Sequence, residues 1–271
     1  MTDIDSPPTS NITQATRLMI NQNEYIFGLR AIIEAIEAGR DIDKVLLRKD
    51  LAGGDLSRLL LQKMKEYDIP SQRVPLEKLN RITMKNHQGA IALLSAVPYH
   101  SLEQLVPSLY EEGAMPFFIM LDGVTDVRNF GAICRTAECA GADAVIIPER
   151  GSATPGADAM KTSAGALMHL PVCRVRTLKE AIGYLQESGV TVIGASEKAA
   201  ESYTAMPCTG PVAIVMGAED TGLSPDVLRA CDHLASIPIL GAIGSLNVSV
   251  AAGVMLYEVV RQRLDAGMRP E

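Results

Sequence analysis

From Pro116 onward, short runs of wholly apolar residues alternate with segments of helical periodicity. A strand that is apolar at every position must be covered on both faces. A parallel sheet between two layers of helices meets that demand. Phe117–Asp122 is the first such strand, and Asn129–Ala140 is the helix after it. Further strands are expected at Ala144–Pro148, Leu170–Val175, Val190–Ala195, Val212–Met216 and Leu234–Ile239. Helices are expected over Asp158–Leu167 and Leu178–Ser188, from Ser224, and from near Asn247. The spacing predicts an α/β domain over residues 116–271.

The earlier part of the chain is built on a smaller scale. Residues 1–21 are polar, include Pro-Pro, and read as a flexible tail. Leu29, Ile32, Ile33 and Ile36 recur at helical spacing before Gly39, a natural stop. A short strand over Lys44–Arg48, an amphipathic helix over Leu56–Tyr67 and an extended piece at Ser71–Pro75 follow. A short helix at Leu76–Thr83 and a buried-type strand at Ala90–Val97 complete a second α/β domain over 22–98. Residues 99–115 read as a connector with one helix, for which Ser101 and Gln104 form a capping box. A chain of 271 residues suits this division, since domains run to about 150 residues.

Composition excludes several classes. With 47% hydrophobic and 21% charged residues the chain is not disordered. No apolar run approaches the ~20 residues of a membrane helix, and the N-terminus lacks the pattern of a signal peptide. The 5 cysteines include no C-x-x-C pair, and the 4 histidines are scattered singly. Neither a disulfide framework nor a metal site is expected. A reducing, cytoplasmic setting is expected, with most cysteines serving as small core residues. The net charge of −7 argues against nucleic acid until its distribution is counted. Residues 1–98 hold 13 basic and 12 acidic side chains, and residues 99–271 hold 12 and 20. Within 40–85 the count is 11 against 7, so a basic lobe sits on an acidic chain; solvated helix faces explain it as well as a nucleic-acid surface does.

Three segments carry candidate chemistry. The first runs from Leu121 to Ala137, as strand, polar loop and helix start, where parallel α/β proteins place their ligands. Asn129 is placed there as a helix cap. Arg135 lies about two turns into an apolar helix, where it needs a carboxylate or a phosphate as partner. The second, Ile214 to Pro225, ends an apolar strand in an acidic loop with Gly217, Glu219, Asp220 and Gly222. Ser224 caps the next helix and Pro225 takes its first position. This loop lacks the G-K-[ST] ending of a phosphate loop, and its carboxylates repel phosphate, so a cationic ligand suits it better. An ordinary strand-to-helix turn accounts for it equally. The third, Ile237 to Gly253, places Ser245 and Asn247 ahead of a helix apolar nearly all round. Such a helix must be buried on most sides, which suggests a dimer contact.

In this order and spacing, the three segments resemble the signature motifs of the SpoU (TrmH-like) family of RNA ribose methyltransferases, over about 116–264. Gly28 to Ala35 and His87-Gln88-Gly89 are similar to the substrate-binding domain of the RlmB-type subgroup, which methylates a guanosine 2′-oxygen in large-subunit ribosomal RNA. The resemblance implies a sheet whose C-terminal part is tied in a deep trefoil knot, the SPOUT fold, a rare exception to unknotted topology. It implies a homodimer and an N-terminal RNA-binding lobe. S-adenosyl-L-methionine would bind near Gly217, Ile237 and Leu246, with Ser196 as a further contact. Arg135 matches the family's catalytic arginine, holding the target phosphate and helping to activate the 2′-hydroxyl. Asn129, Glu219, Ser245 and Asn247 match the other family positions, orienting Arg135, the ribose or the methionine part of the cofactor. The family usually has proline where this chain has Val127, which leaves the loop at Asp126 freer. A transfer-RNA target, and a non-catalytic role in ribosome assembly on the same fold, are the alternatives.

Overall fold

The structure, a computed structural model, describes residues 25–51 and 53–268. The tail expected over 1–21 lies outside the described residues. Contacts divide the chain into two compact units, meeting at Ala96 and Val97.

Among the described residues, the first unit has four strands: β1 (Tyr25–Phe27), β2 (Ile42–Arg48), β3 (Ser71–Val74) and β4 (Ala90–Leu94). They lie in the order β1-β4-β2-β3, with β4 antiparallel to β1 and β2, and β3 parallel to β2. Its helices are α1 (Leu29–Glu37), α2 (Asp55–Glu66) and α3 (Leu76–Ile82). Ile32, Ile33 and Ile36 of α1 and Leu60 and Met64 of α2 pack with Val45, Leu47 and Ala92 of the sheet. The side chain of Leu46, between those of Val45 and Leu47, belongs to a second cluster with Val74, Leu79 and Ile91. Strand β2 starts at Ile42, before the expected Lys44; its register shifts between Ile42 and Lys44, and such an irregularity hides the alternation from which strands are read. Strand β1, three residues long, is too short to show any period.

The second unit forms an eight-stranded sheet among the described residues, in the order β10-β12-β9-β11-β6-β7-β8-β5, with every pairing parallel. Its central strands are β6 (Phe117–Asp122), β7 (Ala144–Pro148), β8 (Val172–Val175), β9 (Thr191–Ala195) and β11 (Val212–Gly217). The edges are β5 (Tyr99–His100) and β10 (Glu201–Ser202), and β12 (His233–Ser236) lies between β10 and β9. The alternating side chains explain why these strands are apolar throughout. Phe117, Ile119 and Leu121 join one core with Ile214 and Met216, and Phe118 and Met120 join another with Ala213 and Val215. The first core is covered by α5 (Val127–Cys139), α6 (Ala157–Thr162) and α9 (Val248–Asp265). The second is covered by α4 (Leu102–Glu111), α7 (Leu178–Glu187) and α8 (Pro225–Ala230). Each fully buried Phe or Leu contributes about 1.5–3 kcal/mol of transfer free energy.

Residues 99–115 do more than connect. They supply edge strand β5, which pairs with β8, and helix α4, which buries Leu102 and Val106. The capping box expected there is not formed, because Ser101 Oγ donates instead to Glu103 Oε2 at 2.7 Å. The helix expected over Asp158–Leu167 is broken after Thr162: Ala164 (φ 51°) and Gly165 (φ 91°) turn left-handed, and a 3-10 turn follows at Ala166–Met168. Strand β12 stops at Ser236, and the apolar residues through Ile239 continue without sheet pairing.

Candidate active site

The sheet delivers three strand ends to one place. Loops leaving β9, β11 and β12 enclose a pocket of about 240 Å³. Ser196 comes from the first loop, Gly217, Glu219 and Asp220 from the second, and Ile237, Ser245 and Leu246 from the third. Gly217 stands where no other residue fits: an added Cβ would lie 2.3 Å from the Gly222 carbonyl carbon and 2.4 Å from the Leu223 nitrogen. The close approach arises because the loop doubles back on itself. Ala218 and Gly222 exchange hydrogen bonds of 3.1 and 2.9 Å, and Gly222 takes a φ of 68°.

The first motif meets this loop through its own carboxylate. Asp122, at the end of β6, accepts a 2.6 Å bond from the backbone N–H of Ser224. Ser224 holds the cap position of α8 with Pro225 behind it, but its side chain makes no capping bond, contrary to the sequence expectation.

Asn129 does not cap its helix. Asp126 does so, accepting from the N–H groups of Arg128 and Asn129 at 2.8 and 2.9 Å. Val127 takes the first helical position, where the family's proline would stand. Asp126 is nevertheless extended, with φ −73° and ψ 120°. Relieved of capping, the Asn129 side chain accepts a 3.0 Å bond from Asn247 Nδ2. Asn247 also donates to Glu219 Oε1, which accepts a further bond from the N–H of Val248 at 3.3 Å. The Asn247 oxygen caps α9 by accepting from the N–H of Ser249 at 3.0 Å. One asparagine thereby joins the first, second and third motifs.

Ser196, Gly217, Glu219, Ile237, Ser245 and Leu246 all line the pocket. Asn129 and Asn247 stand behind it, tied to Glu219. Arg135 follows on α5, six residues beyond Asn129, exposed and without an ion pair or hydrogen bond to any described residue. The carboxylate partner considered for it is therefore not present among the described residues. Sequence reading missed Met216, Leu223, Leu228 and Ala251, which also line the pocket. Their signal is indistinguishable from that of ordinary core residues.

The helix bearing Arg135 is seated by two small residues. A Cβ on Gly131 would lie 2.2 Å from Thr162 Oγ1 and 2.8 Å from the Ala159 carbonyl oxygen, so α6 packs directly on its backbone. On α9, Gly253 lies against Thr136. The far end of α9 is anchored by Gln262, which donates to the Met206 carbonyl at 2.9 Å and accepts from the Cys208 N–H at 3.0 Å. Beside it the buried Glu258 accepts from Arg261 and Gln262, and those bonds hold its carboxyl below the usual range.

Comparisons with known proteins identify the family. Residues 116–257 match the model of the SpoU rRNA methylase family, and residues 25–100 match that of the RNA 2′-O ribose methyltransferase substrate-binding domain. The chain belongs to the SpoU rRNA methylase family. It is by that membership an RNA 2′-O-ribose methyltransferase. The Bacillus subtilis protein YacO, named for the TrmH family of tRNA/rRNA methyltransferases, is 34% identical over 249 residues, covering 92% of this chain and 100% of its own. Two solved structures share the fold at 24% identity. The SpoU methyltransferase AviRb from Streptomyces viridochromogenes, in complex with AdoMet, aligns with a TM-score of 0.57 over 94% of each chain. An AdoMet-bound rRNA methyltransferase from Sinorhizobium meliloti aligns with a TM-score of 0.56, covering 95% of this chain and 97% of its own. Among the described residues, no group of acidic, His or Cys side chains could hold a metal ion, and no helix is long and apolar enough to cross a membrane.

Proposed function

We propose that this chain transfers a methyl group from S-adenosylmethionine to the ribose 2′-hydroxyl of a guanosine in large-subunit ribosomal RNA, as an RlmB-type enzyme. The observation that carries this reading is the hydrogen-bonded junction of Asn129, Asn247 and Glu219 at the edge of one pocket.

The pocket's chemistry fits the cofactor. Met216, Leu223, Ile237 and Leu246 give it apolar walls suited to an adenine ring. Glu197, Glu219 and Asp220 outnumber the one cation among the described residues of the lining, Lys198, and the net negative charge suits a cationic ligand better than the phosphates of a nucleotide cofactor. When bound, S-adenosylmethionine supplies a methyl group already activated by its positively charged sulfur. The chain's residues then have two tasks, to align the acceptor oxygen and to stabilise the charge it gains. Arg135, free of protein partners among the described residues, holds the phosphate of the target nucleotide and steadies the developing charge on the 2′-oxygen. Asn129 and Asn247 fix the first turn of Arg135's helix against Glu219. Ser245 lies on the pocket wall with Glu219, placed to orient ribose or the methionine end of the cofactor.

The trefoil knot, the homodimer and a cytoplasmic setting belong to the same proposal. Val250, Tyr257 and Leu264 support the dimer: they recur at intervals of seven along α9 and are about half exposed, forming an apolar stripe on its outer side. The ribosomal target is supported by a two-unit architecture matched over 95% of the chain by the Sinorhizobium rRNA methyltransferase.

Labelled methyl transfer to large-subunit rRNA transcribed in vitro tests the reading. Label retained in an alkali-resistant dinucleotide containing guanosine is the expected result. Label on tRNA alone would move the substrate, and no label on either RNA would overturn the enzymatic role.

A further inference from the structure

Among the described residues of the first unit, Met84 stands farthest out of the core. It is 83% exposed, against 37–48% for the other exposed large apolar residues described in that unit. It does not lie on a loose loop. It opens the exposed tripeptide Met84-Lys85-Asn86, and the polar residues at either end of that tripeptide are buried, Thr83 at 8% and His87 at 7%.

Both ends are pinned. The Thr83 hydroxyl accepts from the N–H of Lys85 at 3.3 Å. His87 bonds through Nε2 to Asn80 Oδ1 at 3.0 Å, and its Nδ1 accepts from the N–H of Gly89 at 3.0 Å. Because Nδ1 accepts a backbone proton, the ring proton sits on Nε2 and is donated to Asn80. Gln88 and Gly89 then turn the chain through positive φ (52° and 80°). Gln88 Oε1 also caps the first helix by accepting from the N–H of Leu29 at 3.1 Å. The His87-Gln88-Gly89 segment is thus a bracket that holds the tip out.

The surroundings are cationic and partly aromatic. Lys85 lies 5.9 Å from the centre of the Phe27 ring, and Phe27 lies 6.2 Å from Tyr25. Strands β1, β2 and β3 all finish at this end of the sheet, where β4 begins. The exposed side chains of Arg30, Lys49 and Arg73 therefore gather there with Lys85. The same topology brings the carboxylates of Asp50, Asp55 and Glu77 to this end; Arg48 engages Asp50 at 3.0 Å and Arg58 engages Asp55 at 3.1 Å.

Resting on the reading of the chain as an RNA methyltransferase, we propose that the Met84 tip is a wedge that receives one unpaired nucleobase of the substrate RNA, with Lys85 and Arg73 on the flanking phosphates. A rigid apolar tip inside a cationic rim complements a base already out of its stack. A base in a continuous duplex offers no free face to it. The thioether adds favourable sulfur–ring contact, and the cations account for the affinity that salt removes.

The test uses the full-length chain and two RNAs of equal length, a hairpin with 2-aminopurine in its loop and the same stem fully paired. The wild type should bind the hairpin more tightly and change its 2-aminopurine fluorescence. Met84→Ser should weaken hairpin binding roughly fivefold, leave duplex binding unchanged and abolish most of the fluorescence change. Met84→Leu should retain both. Lys85→Ala should weaken both RNAs and lower the salt dependence. Equal hairpin affinity for wild type and Met84→Ser overturns the proposal, whatever the methyl transfer. Loss of the hairpin preference in Met84→Ser, in a protein that transfers no methyl to any RNA, would support the wedge and overturn the enzymatic reading.

Discussion

The side-chain amide of Asn247 donates a 3.0 Å hydrogen bond to Asn129, across 118 residues of chain. The same amide donates to Glu219, and the Asn247 oxygen caps α9. Replacing it with alanine removes the cap and the junction together. Asn247→Ala should lower stability by about 2 kcal/mol in urea denaturation. Asn247→Asp should keep the cap but set a second carboxylate beside Glu219. That variant should be less stable at pH 8 than at pH 5, and a urea midpoint independent of pH would contradict the role assigned to the amide.

Gly217→Ala should injure the pocket without touching the core. Its Cβ would meet backbone atoms of Gly222 and Leu223, which cannot rotate away. A cost of roughly 1–3 kcal/mol in stability is expected, with S-adenosylmethionine affinity reduced at least about tenfold in calorimetry. Wild-type affinity would show that the loop shifts freely.

Arg135 is exposed and has no partner among the described residues, so its removal should cost almost nothing in stability. Arg135→Ala should abolish methyl transfer and leave the melting temperature and cofactor affinity nearly unchanged. A large loss of cofactor affinity would move Arg135 to the cofactor side of the reaction.

Glu258 sets a pH dependence of stability. Bonds from Arg261 and Gln262 hold its carboxyl below the ordinary value of 4.5. A carboxylate depressed on folding stabilises the protein above its unfolded pKa, and that contribution is lost as pH falls through the folded value. Urea midpoints measured from pH 7 down to pH 3 should fall less steeply for Glu258→Gln than for the wild type. Parallel curves would show that other carboxylates control the acid limb.

Burial governs the thiols. Cys173 and Cys231 are pushed up to about 12 and Cys208 to about 11, and Cys134, fully buried, is also raised. Cys139 is exposed. A thiol reagent at pH 8 should modify Cys139 rapidly in the folded chain and the other four only in urea. Prompt reaction at Cys134 would mean that the helix carrying Arg135 opens readily.

The pattern of layers was legible because burial on both faces leaves an unbroken apolar run, and β6 and β7 fall where those runs stand. Edge strands β5 and β10, two residues each, were not legible, since two residues carry no period. Asn129 shows the same limit in a side chain. Asparagine before an apolar helix suits a cap, yet Asp126 three residues earlier captures the free N–H groups and releases Asn129 for a distant partner.

Local chemistry alone determined the strand–helix alternation, the acidic and phosphate-repelling character of the loop after β11, and the motif residues themselves. Those properties depend on neighbours in the chain. Tertiary structure decided that Asn129, Glu219 and Asn247 meet at one junction, that Gly217 has no room for a side chain, and that Met84 is held outward. Each of these depends on backbone segments far apart in sequence coming within a few ångströms. Only the packed sheet and its returning loops bring them that close.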